Sequence, residues 1–156
     1  MEKHIYPKGK LNEQGYKERI KNYVDYSEQR FIEYCQKHKY FYRKLHFNQS
    51  DEIINCPIPH WGKLGLLTSQ PDFFVYNDRE QIFIEVKASP KVKVKDLIGY
   101  AAWYKTYCDP KYTKYRIAFC FADKTIIKTI EQIFELLPKS QLREYNEGNK
   151  YYVLPL

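Results

Sequence analysis

Asp72, Glu85 and Lys87 are two carboxylates and one ammonium that the chain can bring to one place. Glu85 and Lys87 lie two apart in Gln81-Ile82-Phe83-Ile84-Glu85-Val86-Lys87. Side chains alternate along a strand, so the two charged groups share one face while Ile82, Ile84 and Val86 share the other. In an interior strand a carboxylate and an ammonium are costly unless they are paired or serve a site. Asp72 opens the partner strand, which brings its carboxylate beside Glu85. Two adjacent carboxylates repel each other. A divalent cation such as Mg²⁺ or Mn²⁺, which takes hard oxygen ligands and binds phosphate, resolves that repulsion. Lys87 then stands where it can position a water or neutralise the charge that builds on phosphorus.

A further carboxylate comes from a helix expected from a Ser27 cap to about Lys39, through Phe31, Ile32 and Cys35. At roughly 100° per residue, Glu28 falls on the same face as those apolar residues and Glu33 falls on the solvated face. The N-terminus of that helix favours an anion through the helix dipole, so Glu28 is the candidate for an auxiliary metal or water ligand.

The elements that must hold these groups follow in order. Leu11 to about Tyr26 carries a weaker helical pattern and reads as an accessory helix. Tyr40–Phe47 reads as a first strand, and Asn48–Gln70, with Pro57, Pro59, Gly62 and Gly65, as a long loop. Asp72–Tyr76 and Gln81–Lys87 form a hairpin across Asn77-Asp78-Arg79-Glu80. An apolar helix from about Asp96 to Tyr107 leads to a strand at Tyr115–Phe121, and this crossover makes the last strand parallel to the one ending at Lys87. A final helix is expected over Thr125–Leu137, and an edge strand over Tyr151–Leu154. The whole is an α/β (α+β) domain with a central mixed sheet flanked by helices.

The 156 residues suit a single domain, 1–156, with 1–26 as the accessory element. An apolar fraction of 44% excludes disorder of the whole chain. A formal charge of +7, from 26 Lys and Arg against 19 Asp and Glu, favours a polyanionic partner. Tyrosine, at 16 copies, can pack, hydrogen-bond or stack on bases. Cys35, Cys56, Cys108 and Cys120 show no CxxC pair and read as free thiols of a reducing compartment. Cys56 and His60 lack the second pair of ligands that a zinc site needs. No stretch approaches the roughly 18 apolar residues of a membrane span, and a soluble, intracellular, cytoplasmic protein is expected.

Pro71-Asp72 followed by Glu85-Val86-Lys87 at the end of an apolar strand resembles the PD-(D/E)XK nuclease superfamily. The segment from Glu28 to Tyr40 resembles the opening helix of archaeal Holliday junction resolvases, although the usual small residue near its end is Lys39 here. The resemblance implies a restriction-endonuclease-like αβββαβ core, Mg²⁺ or Mn²⁺ as cofactor, and hydrolysis of DNA leaving 5′-phosphate and 3′-hydroxyl ends. By the same resemblance Asp72 and Glu85 bind metal, the Val86 carbonyl adds a ligand, Lys87 assists the water and Glu28 completes the site.

The expected partner is DNA, with no membrane. Lys91, Lys93 and Lys95 would lie on one side of an extended segment as a phosphate track, with Arg43, Lys44, Lys111, Lys114 and Ser69 as further DNA contacts. The bland alternative for the lysine series is a guarded sheet edge. Two function classes remain: a metal-dependent deoxyribonuclease, junction-resolving or general, and a non-catalytic basic DNA-binding or scaffold protein. Cutting both strands of a duplex usually requires two such sites, which a homodimer would supply.

Overall fold

The computed structural model describes residues 26–45 and 70–156. The expected accessory helix, most of the long loop, Cys56, His60 and Ser69 lie outside the described residues.

Helix α1 (Tyr26–Lys37) buries Phe31 and Cys35 and exposes Glu33, as the spacing predicts. It starts one residue ahead of Ser27, which is buried within its first turn instead of preceding the helix as its cap. Its other end is a Schellman turn. The Tyr40 N–H donates to the Cys35 carbonyl at 2.9 Å and the Lys39 N–H to Gln36 at 3.3 Å. The C′ position of that turn wants a left-handed residue, and Lys39 occupies it at φ +59°. A side chain at this position costs about 1 kcal/mol.

Five strands form the central sheet in the order β1-β2-β3-β5-β6, where β1 is Phe41–Lys44, β2 Phe73–Tyr76, β3 Gln81–Lys87, β5 Thr113–Cys120 and β6 Thr125–Thr129. β1, β2 and β3 run antiparallel, and Asn77 closes the β2–β3 turn by accepting from the Arg79 and Glu80 N–H groups. β3 is the central strand and pairs in parallel with β5 through the crossover helix α2 (Val94–Tyr107). This is a mixed α+β architecture in which α1 precedes β1, β2 and β3, and α2 leads into β5.

The two faces of β3 feed two cores. Ile82, Ile84 and Val86 pack with Phe31, Cys35, Phe73 and Val75 beneath α1. Phe83 packs with Tyr100, Trp103, Tyr115 and Ile117 beneath α2. Glu85 and Lys87 share the face of Phe83 and so point toward α2.

Three expectations need correction. Thr125–Thr129 is strand β6, and only Ile130–Leu136 forms helix α3, capped by Thr129 and Gln132 in a reciprocal capping box. Thr125-Ile126-Ile127-Lys128-Thr129 is β-branched at four of its five positions, which suits a pleated surface better than a helix. Tyr151–Leu154 is not an edge. Strand β8 (Lys150–Val153) is the middle of a second sheet, ordered β4-β8-β7, with β4 at Lys91–Lys93 and β7 at Gln141–Glu144. The lysine series is likewise broken, because the chain turns helical at Val94, leaving Lys91 and Lys93 on β4 and Lys95 in the first turn of α2.

Candidate active site

The register of the β2–β3 hairpin positions the first carboxylate. Phe73 pairs with Ile84, so the next step of the ladder sets Asp72 opposite Glu85. Asp72 is half-buried, and its Oδ2 accepts the Val86 N–H at 2.8 Å. In a strand a residue's N–H and C=O project toward the same neighbour. The Val86 carbonyl therefore faces the β2 side, where the ladder's next donor would be the N–H of residue 71. That residue is Pro71, which has none. The proline thus leaves a backbone oxygen unclaimed by the ladder beside two carboxylates.

Lys87 and Glu85 meet at 3.2 Å, and Lys87 also reaches Asp96 at 3.5 Å. The Tyr100 hydroxyl donates to Glu85 Oε1 at 3.1 Å, and the Lys87 ammonium lies 5.5 Å from the Tyr100 ring centre. Both contacts to Glu85 use Oε1, so Oε2 is the oxygen left for another ligand among the described residues. Asp96 and Tyr100 were not singled out from the sequence. The available signal was their spacing of four on an apolar helix, which puts them on one face above the strand carrying Glu-Val-Lys.

Charge in this corner is unbalanced. Burial pushes Asp72 well above the ordinary carboxylate range, and Glu85 and then Glu28 raise it further, against the lowering effects of the Val86 N–H and Lys87. Burial also raises Glu85, despite Lys87 and the Tyr100 hydroxyl. For Lys87, burial works against the ammonium, but Glu85 and Asp96 outweigh it and hold the group above its usual value. Three carboxylates share one ammonium, an arrangement that favours an added cation.

Glu28 is close enough for its charge to act on Asp72, and it forms an ion pair with Lys44. Lys44, expected to touch DNA, is thus engaged by Glu28. Arg43 is exposed on β1. Lys111 and Lys114 lie at the opposite end of the sheet from Lys87, because β3 and β5 run parallel and Gln81 pairs with Thr113. There Lys114 meets Glu80 at 2.9 Å and Lys111 lies over Tyr112.

The donor set suits a hard divalent ion chemically: carboxylate oxygens of Asp72 and Glu85 and a carbonyl oxygen of Val86. Among the described residues no three Asp, Glu, His or Cys side chains converge closely enough to hold an ion by themselves. An ion here would complete its shell with water and phosphate, as Mg²⁺ commonly does. Also among the described residues, no helix is long and apolar enough to cross a membrane. Among the described residues Cys35, Cys108 and Cys120 form no disulfide, and burial pushes the Cys35 thiol up to about 12.

No protein-family model matches the chain, and no curated protein matches it. Among solved structures it is similar to Hjc, a Holliday junction resolvase from the archaeal hyperthermophile Archaeoglobus fulgidus. The two are 12% identical, the match covers 80% of this chain and 84% of that one, and the TM-score is 0.45.

Proposed function

We propose that the protein is a metal-dependent deoxyribonuclease that hydrolyses phosphodiester bonds in DNA processing, repair or recombination. The observation that carries this reading is the corner formed by Asp72, Glu85 and Lys87, where carboxylates outnumber the ammonium beside a carbonyl that Pro71 leaves without a ladder donor.

In this reading Asp72, Glu85 and the Val86 carbonyl would hold Mg²⁺ or Mn²⁺, and Glu28 would be the auxiliary ligand. Bound there, such an ion would supply positive charge to the phosphate and would make water a better nucleophile near neutral pH. Lys87 donates to the attacking water or to the phosphoryl oxygens and offsets the charge gained in the transition state. Asp96 keeps a counter-charge on Lys87 when Glu85 is engaged elsewhere, and Tyr100 fixes the rotamer of Glu85.

The experiment is incubation of linear, supercoiled and four-way-junction DNA with Mg²⁺, Mn²⁺ or EDTA, comparing wild type with Glu85→Ala and Lys87→Ala. Cleavage by wild type that needs the metal and is lost in both variants is the expected result. Metal-independent binding without cleavage would establish the scaffold reading instead. A product only from the junction would identify a resolving endonuclease.

A further inference from the structure

The second sheet adds to the αβββαβ core and lies next to the catalytic corner in sequence and in space. β4 begins shortly after Lys87, and its last residue, Lys93, leads directly into α2, whose first turn carries Asp96. Directly opposed residues of antiparallel strands share a face. In β4-β8-β7 one such row is Lys93, Tyr151 and Arg143, and the neighbouring row is Lys91, Val153 and Gln141. Lys91, Lys93 and Arg143 therefore share one face. Val92, on the other face, is completely buried in the core beneath α2. Glu144 takes the alternate parity and stands on that other face as well.

The cations are braced by aromatic rings. The Lys91 ammonium lies 5.5 Å from the centre of the Tyr151 ring and that of Lys93 lies 5.8 Å from Tyr145. The two rings pack on each other at 4.2 Å. The Arg143 guanidinium is anchored on Gln141 at 2.7 Å. None of these three cations is neutralised by a carboxylate within ion-pair distance among the described residues, whereas Lys44, Lys87 and Lys114 all are. A ring holds an ammonium in place without cancelling its charge, which leaves it available to an anion. Tyr145, raised chiefly by burial and by Tyr151, also feels the charges of Asp96 and Lys87, so this face is within electrostatic reach of the site.

We infer that the Lys91, Lys93 and Arg143 face of the second sheet grips the DNA sugar-phosphate backbone on one side of the scissile phosphate and guides that strand to Lys87. This rests on the nuclease reading and extends it by naming the surface that holds the flanking phosphates.

The test measures binding of labelled duplex DNA in EDTA, across about 50 to 200 mM salt, for wild type and the combined Lys91→Gln, Lys93→Gln, Arg143→Gln variant. All three residues can be replaced without emptying the core. Each lost phosphate contact lowers the slope of log affinity against log salt by about 0.9, so a fall of between two and three is expected, with weaker binding on every sequence. In the Mg²⁺ assay the loss falls mainly on KM. Tyr145→Phe, which keeps a ring beneath Lys93, binds like wild type, and Tyr145→Ser lowers affinity. An unchanged slope in the combined variant overturns the inference while leaving the nuclease reading intact. A wild type that binds DNA by this face and never cleaves it overturns the nuclease reading alone.

Discussion

Strand β3 carries charge clusters at both of its ends, and the two are organised oppositely. At its start Glu80 is one carboxylate among several partners: the Tyr40 hydroxyl at 2.7 Å, Lys114 at 2.9 Å and Arg116 at 4.0 Å. The hydrogen bonds from Tyr40 and Lys114 hold Glu80 below the ordinary carboxylate range, and that same bond pushes Tyr40 up to about 12. At its finish Asp72, Glu85 and Asp96 surround the single ammonium of Lys87, and Asp72 and Glu85 are both raised. The first cluster helps hold the sheet together. The second carries unfavourable charge in the absence of a cation, which is the pattern expected of a site and not of a brace.

The largest effect should be catalytic and confined to the finish of the strand. Lys87→Ala is expected to lower the metal-dependent cleavage rate by about 100-fold or more, the scale of losing one group that offsets transition-state charge. Glu80→Gln should leave that rate unchanged. Equal losses from both substitutions would erase the distinction between the two ends.

Stability should respond with opposite signs. Asp72→Asn keeps an oxygen for the Val86 N–H and removes a disfavoured charge, so the fold should gain about 1 kcal/mol at pH 7 in EDTA while cleavage is lost. Glu80→Gln removes a well-partnered anion and should cost about 1 kcal/mol in the same urea titration. Two losses, or two gains, would contradict the charge assignment.

The pH profile sharpens this further. A carboxylate whose folded pKa is depressed, as for Glu80, gives stability that is present above its unfolded value and lost as pH falls through the folded one. A raised carboxylate such as Asp72 works in reverse: its penalty is absent in acid and grows as pH rises from the unfolded value through the folded one. Measured without metal, Glu80→Gln should therefore lose its deficit relative to wild type below about pH 4. Asp72→Asn should lose its advantage in a higher window, as pH falls from the raised folded value of Asp72 down to about 4. Deficits independent of pH would show that neither charge is responsible.

The smallest effect lies outside both clusters. Lys39→Gly relieves a left-handed side chain at the end of α1 and should raise stability by about 0.5 kcal/mol, since glycine's greater unfolded entropy offsets part of the relief. Thermal melting would detect this, with cleavage unaffected.

The alternation in Gln81–Lys87 was enough to assign faces, because the period of a strand is two and nothing else in the segment competes with it. The Asn77 turn and the parallel crossover were also legible, through turn chemistry and the handedness of connections. Thr125–Thr129 was misread because a short β-branched run beside a true helix fits both periodicities until pairing with β5 decides between them. The β4-β8-β7 sheet was not legible as a unit, since β4 lies more than 40 residues ahead of the β7–β8 hairpin and only their pairing joins them.

For the site itself, the residue types and their order specified Asp72, Glu85 and Lys87 as a group, and the helical face specified Glu28. Those are local properties, set by the spacing of side chains along one strand or helix. Only the tertiary structure decided that Asp96 and Tyr100 close over Lys87 and Glu85, that Lys44 faces Glu28, and that Lys114 belongs to a brace at the far end. Each depends on distances between elements that backbone period does not encode and that packing of the two cores fixes.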